Sequence, residues 1–127
     1  MSYHDQVADF ANVHQEEAER IYRAAMLQVM AGVVQDTPVL DGYLRGAWLI
    51  GLGSRANGGE IQDRTGSIVM SRIAQAVASA TLDTEVWFSN ALPYASRIEY
   101  DGWSRHKAPQ GMLRRNLARW EEYVRNL

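Results

Sequence analysis

Cysteine is absent from the chain, so disulfides, zinc–thiolate centres and thiol nucleophiles are excluded. Lysine is nearly absent: Lys107 stands alone among 13 basic residues, the rest being arginine. Long apolar runs are missing too. None approaches the roughly 20 residues that a membrane-spanning helix needs. Residues Met1 to Asp5 have neither the basic nor the apolar stretch of a secretion signal. The expectation is a soluble protein, made and kept in the cytosol, with no membrane partner. A basic excess is also lacking. The formal net charge is -2, which argues against a nucleic-acid binder held by charge alone.

Catalytic constellations are missing as well. There is no Gly-x-Ser-x-Gly elbow and no phosphate-binding loop ending in Lys-Ser or Lys-Thr. Gly51 and Gly53 are followed by Ser54 and Arg55 rather than by the remainder of a dinucleotide fingerprint, and read as strand-end glycines. His4, His14 and His106 have no acidic or histidine partner at metal-ligand spacing. His14 falls in an apolar seam, which suits a core or interface histidine. His106 lies between Arg105 and Lys107, where cation repulsion opposes a metal. The carboxylate pairs Glu16/Glu17, Asp83/Glu85 and Glu121/Glu122 read as solvated charges. The expectation is a protein that is not an enzyme, with no catalytic, cofactor-binding or metal site.

What is present fits one domain spanning residues 1–127, with an ordinary hydrophobic content of 46%. Val7, Phe10, His14, Ala18, Ile21, Ala25, Val29 and Val33 recur at steps of three and four and predict one long helix from Tyr3 to Gln35. Such a helix must cross the whole domain or lean on a neighbouring subunit. Asp36-Thr37-Pro38 ends it, because the residue before proline is pushed out of the helical region. A helical turn near Leu44 leads into an apolar strand ending at Gly53. Ser54 to Gly66, with Gly58, Gly59 and Gly66, reads as a mobile surface loop without apolar anchors. Ser67 to Ala80 predicts a helix with Ile68, Ile73, Ala76, Val77 and Ala80 on its stripe. Thr84 to Ser89 predicts a strand, and Ala91 to Glu99 a short helix. Ala108-Pro109 opens a last helix whose apolar face is Met112, Leu113, Leu117, Trp120 and Val124.

The fold class is therefore α+β: a long N-terminal helix, a small antiparallel or mixed sheet, and a C-terminal helix. Two strands make a marginal sheet. Either the glycine-rich loop adds strands or neighbouring subunits complete the sheet. Charge is uneven along the chain. Residues 1–36 carry six acids against two bases, a balance of -4, and residues 97–127 carry four acids against seven bases, a balance of +3. This reads either as solvated helix faces or as a contact between subunits, acidic end to basic end.

Arginine with tyrosine and tryptophan is the composition of interface hot spots. Tyr94, Arg97, Tyr100, Trp103 and Arg105 crowd into one stretch. Core packing of Tyr94 and Trp103 is the alternative.

Two stretches carry a family resemblance. Asp36-Thr37-Pro38-Val39-Leu40-Asp41-Gly42-Tyr43-Leu44-Arg45-Gly46-Ala47-Trp48 resembles the T-P-V-D-T-G-R-x-R-x-x-W segment of the HK97 gp10-like tail components of tailed phages. The run from Ser89 to Ser104, with Asn90, Leu92, Pro93, Tyr94, Ala95, Glu99, Tyr100, Gly102 and Trp103, resembles that family's N-x-L-P-Y-A-x-x-L-E-Y-G-W-S segment, and Ala108-Pro109-Gln110-Gly111-Met112 its A-P-x-G-M. Leu40 and Asp41 replace the family's Asp-Thr, Asp101 is an insertion, and Arg105-His106-Lys107 lengthens the linker.

The resemblance implies a virion protein of the phage neck or tail, made in the host cytoplasm. It implies a homo-oligomeric ring that joins head to tail. Its partners would be head–tail adaptor or portal proteins on one side, and tail-tube or tail-terminator proteins on the other. Genomic DNA would pass through without sequence-specific contact. Within it, Arg45, Trp48, Tyr94, Arg97, Glu99, Tyr100, Trp103 and Arg105 are the expected subunit-interface residues, with Glu99 meeting Arg45 or Arg97. Ser54, Arg55, Asn57, Gly58, Gly59, Arg64 and Gly66 are the expected flexible docking loop. The alternative is a small DNA- or RNA-binding module using the basic C-terminal third.

Overall fold

The computed structural model describes residues 2–39, 42–58, 61–90, 92, 95, 99–100 and 111–127. The chain enters its first helix through a reciprocal cap. Ser2 Oγ accepts from the Asp5 backbone N–H while the Asp5 carboxylate accepts from the Ser2 N–H. From there α1 runs unbroken over Tyr3–Asp36, 34 residues, about 51 Å at 1.5 Å per residue.

Among the described side chains of α1, burial begins at Glu19. Residues 12–18 are all exposed, His14 and Ala18 among them. Burial is complete at Ala25, Met26, Val29, Met30, Val33 and Val34. The predicted stripe thus holds from Ala25 onward. Met26, Met30 and Val34 widen it, because a helix wedged between several elements buries more than one row of side chains.

Thr37 closes α1 in extended conformation, just before Pro38. It is 1% exposed. Its hydroxyl donates to the Val33 carbonyl at 2.7 Å and accepts from Trp48 Nε1 at 2.9 Å. The turn α2 (Tyr43–Gly46) follows, then strand β1 (Trp48–Leu52), helix α3 (Ser67–Val77) and strand β2 (Val86–Asn90). Two short helices end the chain, here α4 (Leu113–Leu117) and α5 (Trp120–Arg125).

The fold is α+β, as the sequence predicts. β1 and β2 pair antiparallel, with Trp48 opposite Asn90, Ile50 opposite Phe88 and Leu52 opposite Val86. These pairs share the inner face, and Trp48 stacks on Phe88 at 4.7 Å between ring centroids. Residues 54–58 and 61–66 add no strand. Helices rather than further strands cover the inner face: Val33, Val69, Ile73, Val77 and Met112 share one buried cluster with Trp48.

Two expectations about helix faces change. Ile68 is exposed on α3, and Val69 takes its place in the core beside Ile73 and Val77. The last helix is broken by a turn at Ala118 and Arg119, which turns Leu117 outward at 51% exposure and brings Tyr123 to the core edge. Residues 108–110, where that helix was expected to open, lie outside the described residues, as does most of the segment expected as a helix over 91–99.

The last helices return to α1. Trp120 meets Tyr22 edge-on at 6.2 Å. Asn116, fully buried, donates to Asp36 at 2.9 Å and to the Met112 carbonyl at 2.7 Å. A Cβ at Gly32 would lie 2.0 Å from Asn116 Oδ1, so this crossing requires glycine. Arg115 reaches Asp36 at 3.8 Å, so at this point the acidic and basic ends of the sequence meet within one chain.

Replacing Thr37 by valine keeps its shape and strands the buried Trp48 N–H. Thr37→Val is expected to lower stability by about 1–3 kcal/mol, and Thr37→Ser by less, measured by urea denaturation.

Candidate functional site

The residues singled out by the sequence sort into two polar junctions and a surface. The first junction is built on Arg45, half-buried on α2. Its guanidinium donates to the carbonyls of Gln35 at 3.1 Å, Thr37 at 3.0 Å and Arg64 at 2.6 Å. The last carbonyls of a helix lack intrahelical partners, and a cation is favoured there. Burial pushes Arg45 below its ordinary value, and the Asp63 charge draws it back.

Asp63 is itself buried. It accepts from the N–H groups of Gly66 at 3.1 Å and Val69 at 2.9 Å, satisfying donors at the start of α3. Gly66, at φ 82°, forms the entry to that helix in a conformation that L side chains rarely adopt. A notch of about 380 Å³ lies beside this junction, lined by Gln35, Asp36, Thr37, Val39, Arg45 and Arg64.

The second junction is built on Glu99, 7% exposed. Its carboxylate accepts from the backbone N–H groups of Met112, Leu113 (2.9 Å) and Arg114 (2.8 Å), and from Arg114 Nε at 3.3 Å. The Arg114 guanidinium also donates to the Glu99 carbonyl. Burial pushes the Glu99 carboxyl up, but the three N–H donors and the Arg114 side chain outweigh it and hold the group below its usual range. Tyr100, next along, is exposed, and the Arg114 guanidinium lies 4.9 Å from its ring centroid.

These positions correct several expectations. Arg45, Trp48 and Glu99 were expected at a subunit interface, yet their side chains are spent inside the chain, holding helix ends and packing the core. Glu99 meets Arg114, not Arg45, because the start of α4 presents unpaired N–H groups to it. The loop from 54 to 66 divides in two. Ser54, Arg55, Asn57 and Gly58 are exposed. Ile61 packs on the core, the Arg64 carbonyl is held by Arg45, and Gly66 is buried, so the second half has anchors that its composition hid. Among the described residues, Tyr100 is the one expected interface residue that the structure places fully on the surface. Tyr94, Arg97, Trp103, Arg105 and, in the loop, Gly59 lie outside the described residues.

Among the described residues, the structure exposes large apolar side chains that the sequence reading did not place on the surface. Val13 is 63%, Leu117 51% and Trp87 42% exposed. Trp87 was legible: with Val86 and Phe88 facing inward, the strand period of two turns it outward. Leu117 was hidden by the break between α4 and α5.

Chemically, the charged groups of both junctions are aimed at backbone groups or at each other. Among the described residues, no group of three His, Asp or Glu is placed to hold a metal, and no helix is long and apolar enough to cross a membrane. No family model, curated protein or solved structure matches the chain.

A carboxylate held below its unfolded value adds stability above about pH 4.3, the ordinary range of Glu, and that stability is lost as pH falls through the folded value. Glu99→Gln is expected to cost about 2 kcal/mol near neutrality. The gap from the parent should close below about pH 4 in denaturant melts recorded across pH.

Proposed function

We propose that this chain is a structural subunit of the head-to-tail connector ring of a tailed bacteriophage, in the neck or tail-completion position, and not an enzyme. It would form part of the DNA channel between portal and tail, with other phage proteins docked above and below. The observation that carries this reading is that the segments resembling the HK97 gp10-like family interlock. Asn90, in the second segment, donates to the Leu44 carbonyl of the first at 2.9 Å. Glu99, also in the second, binds the N–H of Met112 in the third. The residues behind the resemblance therefore work as one structural unit, which a chance likeness of separate short strings does not require.

Two further features support an assembly subunit. One is the stretch of α1 over residues 12–18, exposed throughout. The other is the two-stranded sheet, a minimal scaffold when isolated. A net charge of -2 suits a channel past which DNA slides without being held. No observation favours the nucleic-acid-binding alternative. Arg114, Arg115, Arg119 and Arg125, the described arginines of the C-terminal helices, each pair with a carboxylate of the same chain.

Purified protein is expected to form closed rings visible by negative-stain microscopy, with a mass by sedimentation that is an integral multiple of the monomer. A monomer at every concentration, or a salt-dependent shift of short duplex DNA, counts against the proposal. Trp103→Ala is expected to reduce the assembled fraction while leaving the melting temperature of the monomer within a few degrees of the parent.

A further inference from the structure

Asparagine followed by glycine occurs once in the chain, at Asn57-Gly58. The usual structural role of that pair is a two-residue hairpin turn with positive φ at both positions. It does not fill that role here. Among the described residues no non-glycine has a positive φ, and Gly58 is not one of the glycines that do. Both residues are exposed, in irregular backbone beyond β1. Residues 54–56 are seated on the strand: a Cβ at Gly51 would lie 2.1 Å from the Ser54 carbonyl oxygen and 2.7 Å from the Ala56 nitrogen. Asn57 comes just past that seat. A Cβ at Gly58 would meet, apart from its chain neighbours and among the described residues, only the Leu49 methyls at 3.2 and 3.6 Å. Neither the Asn57 amide nor the Gly58 N–H has a hydrogen-bond partner among those residues.

The other four asparagines are held differently. Asn12 lies inside α1 and Asn116 inside α4, so the N–H that follows each belongs to a helix. Asn116 is also buried, with its amide donating to Asp36 and to the Met112 carbonyl. The Asn90 side chain donates to the Leu44 carbonyl and accepts from the Leu92 N–H. After Asn126, the Leu127 N–H donates to the Val124 carbonyl. Asn57 alone combines an unheld side chain with an unheld, uncrowded nitrogen on the next residue.

We infer that Asn57 is a site of spontaneous covalent modification, converting to aspartate and isoaspartate through a cyclic imide formed with Gly58. The Gly58 nitrogen gives its proton to base and attacks Asn57 Cγ. The N–Cγ bond forms, the Cγ–Nδ2 bond breaks, and ammonia leaves with a proton from water. Water then adds to one of the two ring carbonyls. Opening at Cγ leaves aspartate. Opening at the main-chain carbonyl carbon leaves isoaspartate, whose backbone runs through Cγ. The sum is one water consumed and one ammonia released, with nothing oxidised or reduced. Glycine suits the second position because it has no side chain to crowd the attacking nitrogen. Either product adds a negative charge. Isoaspartate also adds a backbone atom between the seat on Gly51 and Ile61, which packs on the core. The inference is independent of the ring reading.

The test incubates the purified protein in mildly alkaline buffer, beside the same chain unfolded in guanidinium chloride and an unincubated sample. Trypsin, cutting after Arg55 and Arg64, releases a peptide with one asparagine. That peptide is expected to gain one dalton, placed at position 57 by fragmentation, and to elute as two products. Isoaspartyl methyltransferase is expected to label one of them. The folded chain is expected to convert within a few-fold of the unfolded rate, and the other four asparagines to stay intact in it. Gly58→Ala is expected to fold, because Gly58 has no positive φ and the Leu49 methyls can shift, and to slow conversion several-fold. A folded chain that keeps Asn57 while the unfolded one converts overturns the inference. So does conversion unchanged by Gly58→Ala, or faster at another asparagine.

Discussion

The described structure hangs on the Thr37 hydroxyl. In one buried atom it ends the long helix, by returning a hydrogen bond to Val33, and fixes the first strand, by accepting from the Trp48 indole. The Thr37 carbonyl then receives Arg45, which also holds Gln35 and Arg64. Helix end, strand start and the approach to α3 are thereby set relative to one residue. The backbone conformation that places the hydroxyl comes from Pro38, which bars Thr37 from the helical region.

Side-chain bonds to backbone elsewhere do what extra strands do in larger sheets. Asn90 reaches back to Leu44, Asp63 receives the first N–H groups of α3, and Glu99 those of α4. A two-stranded sheet has little stability of its own. Here the inner face is stacked by Trp48 and Phe88 and covered by helices, while these polar links fix where each helix starts or stops. The buried carboxylates follow from the same need. An ion at a helix start is satisfied by several N–H donors at once, so its desolvation is offset in place.

Much of the architecture was legible because it is periodic or punctuated. The long helix, its stop at Pro38, the strand from Trp48, the helix from Ser67 and the α+β class all follow from spacing and breakers. What was not legible depends on tertiary partners. Nothing local tells that Glu99 will meet the start of α4 rather than Arg45. Nothing local tells that Asp63 anchors a stretch whose glycines suggest slack. Trp48 and Arg45 carry the composition of an interface, and the same properties, a large ring with one donor and a planar cation with five, serve equally well for holding a chain to itself. The faces of α3 and of the C-terminal helices were misread by one position each, because the amphipathic stripe is wide and the break at Ala118 has no glycine or proline to announce it.

The contact between Asn116 and Asp36 joins residues 80 positions apart. On a ribosome, α1 is complete long before α4 and α5 emerge, and at about 5–20 residues per second that interval lasts some seconds. During it, Tyr22, Met26 and Met30 have no Trp120 or Leu113 to cover them. The nascent protein therefore presents a greasy rod to the cell before it presents a body. The risk of premature association is concentrated in that window.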